Sequence, residues 1–94
     1  MIKKEQVKNQ DVSDEKLREC IETIENCTKA VILNPNDANA YYYRGYSKGV
    51  LKDHIGAIED FTKVIVLNPE YAEASRNRAL AKEALLDVAL KKRK

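Results

Sequence analysis

His54–Pro69 reads HIGAIEDFTKVIVLNP, and Cys20–Pro35 reads CIETIENCTKAVILNP, the same phrase 34 residues earlier. Ile21/Ile55, Ile24/Ile58, Glu25/Glu59, Thr28/Thr62, Lys29/Lys63 and Leu33/Leu67 are identical pairs in this register. The match runs on past the prolines through Ala38/Ala72, Ala40/Ala74, Arg44/Arg78, Lys48/Lys82, Leu51/Leu85 and Asp53/Asp87. A fixed period of this size is the signature of stacked supersecondary units. Stacked helical units are built to present a surface, which points to partner binding before it points to catalysis.

Within each phrase the apolar residues recur at helical spacing. Leu17, Ile21, Ile24, Cys27, Thr28 and Val31 form such a stripe. Ser13 is a suitable N-cap, and Asp14 and Glu15 put negative charge in a first turn, where the helix dipole favours it. Pro35 and Pro69 cannot continue a helix, and the residue before a proline is pushed out of the helical region. Asp37 caps the next start, and Lys52-Asp53-His54 reads as a turn. The expected helices cover about 14–33, 38–51, 55–67 and 70–91, within one domain spanning 13–91. Residues 1–12 read as a flexible or weakly helical arm anchored by Ile2, Val7 and Val12, and 92–94 as a basic tail.

Bulk composition excludes more than it assigns. Ninety-four residues make one small domain, in which only about 60–65% of the unfolded surface is buried. Charged residues are 34% with both signs interspersed, and a net charge of +2 is too small to imply nucleic acid. No apolar stretch approaches the roughly 18 residues a membrane span needs, and MIKKEQVKNQ has no apolar core of a secretory signal. A cytoplasmic location is expected. Cys20 and Cys27 lie nearly two helical turns apart, about 10 Å along the axis, too far for a disulfide. His54 has only Asp53 beside it, short of the converging ligands zinc needs. Gly45, Gly49 and Gly56 form no phosphate loop, and no nucleophile has a base placed by motif. No catalytic residue, metal or cofactor is expected, and no nucleic-acid or membrane partner, the KKRK end notwithstanding.

Between Tyr41 and Pro69 the chain resembles the tetratricopeptide repeat, whose 34-residue helix–turn–helix carries W-x2-L-G-x2-Y, then A-x3-F, then P. Tyr41 stands for the Trp, Gly45 for the Gly, and Ala57, Phe61 and Pro69 match outright. Arg44 and Lys48 depart from the apolar Leu and the Tyr of that signature, and recur as Arg78 and Lys82. Arg44 either reaches Asp60 or Glu59 on the partner helix or faces solvent. Cys20–Pro35 matches the second helix of a preceding repeat, and residues 72–90 the first helix of a following one, with Ala79 for the Gly. The resemblance implies an all-α fold of antiparallel helix-turn-helix units: a fragment of a right-handed solenoid with about four helices, one full repeat flanked by half-repeats.

It also implies where a partner would bind, because first helices line the concave groove in this family. Carried over residue by residue, the groove presents Asn39, Tyr42, Tyr43, Tyr46 and Val50, then Glu73, Arg76, Asn77, Leu80 and Glu83. Tyrosine and arginine join large contact area to a polar tip and are common binding hot spots. The alternative is that Tyr43 or Tyr46 packs on the neighbouring pair. The expected function is a non-enzymatic module holding a peptide or protein segment in this tyrosine-lined groove. The alternative is a scaffold that self-assembles as a homodimer, with or without helix exchange, through Leu85, Leu86, Ala89 and Leu90. Lysine and asparagine are missing from most positions of the carboxylate clamp that grips chaperone tails, so no such clamp is expected.

Overall fold

The computed structural model describes residues 12–92, and among them the chain is helical with no strand. Its helices are α1 (Asp14–Leu33), α2 (Ala38–Val50), α3 (His54–Leu67) and α4 (Ala72–Lys91). The expected arm at 1–12 lies outside the described residues except for Val12, and the basic tail except for Lys92.

Side chains fix the helix starts. Ser13, Asp37 and Asp53 each accept a hydrogen bond from the backbone N–H three residues on, at 3.1, 3.1 and 2.9 Å. The cap at Asp53 makes His54 the first helical residue, one earlier than the sequence suggested. Asn34 and Asn68 build the same turn after α1 and α3. Each side-chain Oδ1 accepts from the N–H two residues on, at 3.1 and 3.2 Å. The second of these turns occupies residues 68–71, which delays α4 to Ala72 rather than residue 70. Tyr71 offers no side-chain cap. α2 ends at Val50, and Lys52 takes a left-handed φ of 69° while Asp53 N–H returns to the Lys48 carbonyl at 2.8 Å.

Each helix packs on its neighbours in sequence order, and α2 also touches α4 across α3. Ala57, Phe61, Val64, Ala74 and Ala81 form the buried centre, with Tyr41, Tyr42, Ile58, Ile65 and Tyr71 packed against it. α3 is the middle of this core. Burying a side chain the size of Phe61 or Val64 contributes about 1.5–3 kcal/mol. Gly45 lets α2 approach α3: a Cβ there would lie 3.0 Å from both the Asp60 Cβ and the Phe61 ring. Ile21 departs from the expected stripe, being 50% exposed on the outer side of α1. Ile55, its counterpart in the repeat, is 59% exposed in the same way.

A charged staple ties three helices together. Arg44 Nε and NH2 donate to the two oxygens of Asp60 at 2.9 and 2.8 Å, and its NH1 donates to Thr28 Oγ1 at 3.1 Å. Lys48 Nζ lies 3.2 Å from the same carboxylate, which is 5% exposed. The carboxylate that Arg44 meets is therefore Asp60, not Glu59. Its guanidinium also lies 5.6 Å from the Tyr41 ring centre, and Lys63 Nζ lies 5.8 Å from it. The bidentate bond to Asp60 is the main reason the Arg44 pKa is raised.

Candidate functional site

Between α2 and α4, with α3 as its floor, lies a cavity of about 260 Å³. Tyr46, Gly49 and Val50 line it from α2, and Asn77, Leu80, Ala81 and Ala84 from α4. His54, Ala57 and Phe61 form the bottom. The geometry follows from spacing. Tyr46 and Val50 are one turn apart on α2, and Asn77, Leu80, Ala81 and Ala84 share one side of α4. The small residues Gly49, Ala57, Ala81 and Ala84 leave the hollow that Tyr46 and Leu80 border. Those two are exposed at 51% and 56%.

One end of the cleft is closed by a polar lattice. Asn77 Nδ2 donates to the Tyr42 hydroxyl at 3.0 Å, and the Tyr71 hydroxyl donates to Asn39 Oδ1 at 2.9 Å. The Tyr42 and Tyr71 rings stack at 5.0 Å, and Tyr42 also meets Phe61 at 5.7 Å. Burial raises the pKa of both phenols above their ordinary value of 10.0, with Glu73 adding to the effect. The Asn77 hydrogen bond partly opposes the rise at Tyr42. A more polar recess follows, bordered by Tyr42, Tyr43, Asn68, Tyr71 and Glu73. A third, of about 180 Å³, lies between α1 and α2 and is lined by Cys20, Thr23, Tyr43, Tyr46 and Ser47 among others.

The expected groove residues thus fall into separate settings. Tyr46, Val50, Asn77 and Leu80 line the apolar cavity, whereas Tyr42, Tyr43 and Glu73 line the polar recess. Asn39 holds Tyr71, while Arg76 and Glu83 are exposed and line neither space. Of the three expected groove tyrosines, Tyr42 is the one packed against the core. Tyr43 and Tyr46, the two suspected of packing, are 54% and 51% exposed. Tyr71, Gly49, His54 and Ala84 were not anticipated. His54 was read as a turn residue, and the glycine and alanine carry no chemical signal, only room. Of the proposed self-assembly face, Leu86, Ala89 and Leu90 are exposed, but Leu85 is half-buried beside the core side of α4.

Cys20 is buried and Cys27 half-buried, and both are free thiols. Desolvation raises the Cys27 pKa above its ordinary value, partly opposed by the nearby Arg44. Among the described residues no group of three or more His, Cys, Asp or Glu is placed to hold a metal ion. No described helix is long and apolar enough to cross a membrane. No family model matches the chain, and neither the curated proteins nor the solved structures contain a significant match.

Proposed function

We propose that this chain is a non-enzymatic interaction module of the tetratricopeptide-repeat kind, holding an extended peptide or protein segment in the cleft between α2 and α4. The observation that carries this reading is the apolar cavity bordered by Tyr46, Val50, Asn77 and Leu80. At about 260 Å³ it sits below the size usual for drug-sized ligands and cofactors, and suits one or two apolar side chains of a segment lying across it. Exposed Tyr43 and Tyr46 extend the contact on the α2 side, and the side-chain amide of Asn77 and the carboxylate of Glu73 offer polar bonds beside it. A cytoplasmic setting and an all-helical solenoid arrangement belong to the same proposal.

The test is selection of peptides on the intact chain from a displayed random library, followed by fluorescence anisotropy on the winners. Tyr46→Ala and Leu80→Glu should each weaken the selected peptides at least about tenfold, as loss of a hot-spot contact does. Selected peptides that bind both variants as tightly as the parent would sink the reading.

Self-association is the second reading, favoured by Leu86 and Leu90, which are 59% and 53% exposed on one helix. Light scattering across a hundredfold dilution decides it. A mass twice the 10.7 kDa of the chain supports a homodimer, and a mass equal to it removes that reading.

A further inference from the structure

Thr28, Arg44 and Asp60 form an arrangement whose first two members recur 34 residues later as Thr62 and Arg78, with Lys94 in the register of Asp60. Arg78 NH1 donates to Thr62 Oγ1 at 3.2 Å, as Arg44 NH1 does to Thr28 at 3.1 Å. Lys82 stands one turn beyond Arg78, as Lys48 stands beyond Arg44. Around Arg44 and Lys48 the two cations converge on Asp60. Among the described residues no carboxylate pairs with Arg78 or Lys82. The steric surroundings differ as well. Gly45 is buried under Asp60 and Phe61, whereas its counterpart Ala79 is exposed. From Ala79 the exposed strip continues through Lys82, Leu86 and Leu90 at three- and four-residue steps, on one face of α4. Leu80 and Ala84, which line the cleft toward α2, lie on another face.

We infer that this outer face of α4 docks an amphipathic helix of a protein partner carrying an aspartate where α3 carries Asp60. The pattern to be matched is that of Ala57-Ile58-Glu59-Asp60-Phe61: a small residue for close approach, a carboxylate three positions on, then an aromatic. Charge complementarity selects this occupant. The Arg78 guanidinium is already oriented by Thr62, with Lys82 beside it, so an incoming carboxylate meets a half-formed bidentate site. A second copy of this chain does not supply that group. α3 is packed between α2 and α4 within its own copy. α1, the other helix of the same pattern, has Asn26 in place of the aspartate and Cys27 in place of the aromatic. A neutral amide would leave both cations uncompensated.

The probe is a fluorescein-labelled peptide with the sequence of residues 53–69, DHIGAIEDFTKVIVLNP, titrated into the whole chain by anisotropy. The peptide should bind, and the same peptide with Asp60→Asn should bind about tenfold or more weakly, the scale of a lost charged hydrogen bond. Leu86→Glu and Lys82→Glu in the chain should each weaken the acidic peptide, and Tyr46→Ala should not. That last variant separates this face from the cleft, so either proposal can fail alone. Absence of binding, equal affinity for both peptides, or indifference to Leu86→Glu would each overturn the inference. So would sedimentation as an oligomer that Leu86→Glu dissolves, which would give the face to a second copy.

Discussion

Arg44 and Arg78 hold equivalent places in the repeat, yet one is walled in on both sides and the other on one. Arg44 has Thr28 behind it and Asp60 in front. Arg78 has Thr62 behind it and no carboxylate in front among the described residues. The chain path diverges at the same register. After Val50 the backbone turns through Lys52 at φ 69°, and Asp53 caps α3. At the equivalent Leu86 and Asp87 the helix continues to Lys91, so α4 has 20 residues where α2 has 13. The local sequence accounts for this. Asp53-His54-Ile55-Gly56 offers a cap and a buried glycine, whereas Asp87-Val88-Ala89-Leu90 has no glycine, and Asp87 instead meets Lys91 at 3.5 Å within the helix. A repeated sequence therefore specifies its charged cluster only where a neighbour stands on each flank.

The sharpest way to test that contrast is to remove the carboxylate. Asp60→Ala should lower stability by about 3–5 kcal/mol, because it leaves two partly buried cations without their partner. Arg78→Ala should cost only about 1 kcal/mol, the scale of one hydrogen bond. Urea unfolding followed by far-UV circular dichroism measures both, and equal losses would break the comparison. Next in size is Gly45→Ala, expected to cost about 1–3 kcal/mol by overpacking against Asp60 and Phe61. Ala79→Gly, by contrast, should lose only the roughly 1 kcal/mol of helix propensity.

A smaller effect carries opposite signs at equivalent positions. Lys52→Gly relieves a left-handed lysine and should stabilise by roughly 0.5–1 kcal/mol. Leu86→Gly, in an exposed helix interior, should destabilise by about 1 kcal/mol. Thermal unfolding of the pair reads the sign directly. Smallest is a pH effect. The unfolded chain loses the Tyr42 and Tyr71 protons near the ordinary value of 10.0, while the folded chain holds them to higher pH. Above that pH the unfolded state binds fewer protons, so the phenols' contribution is full below it and declines as pH rises through the raised values. Urea midpoints measured upward from pH 10 should fall less steeply in Tyr42→Phe than in the parent.

The helices were legible because the repeat, the two Asn-Pro stops and the Ser and Asp caps all act locally. The boundary at Ala72 was not, since Asn68 uses its side chain to extend the turn past Pro69. The tyrosines were harder. Successive residues of a helix point about 100° apart, so Tyr41, Tyr42 and Tyr43 face different surroundings. Which one packs depends on where α4 lies, and Tyr71, its stacking partner, is 29 residues away. Cavity residues such as Gly49 and Ala84 contribute by being small, which leaves no mark distinguishing them from ordinary helix residues.

The largely sequential packing of the helices bears on how the chain reaches its fold. Each helix mainly meets the one before and the one after, so few contacts require closing a long loop. Topologies dominated by such short closures fold in microseconds to milliseconds. They also open from their ends, because α1 has one neighbour and α4 packs mainly on α3, with a minor contact to α2. Amide exchange should therefore be slowest in α3, faster in α1, and fastest at the far end of α4, whose residues from Leu86 to Lys91 are all exposed.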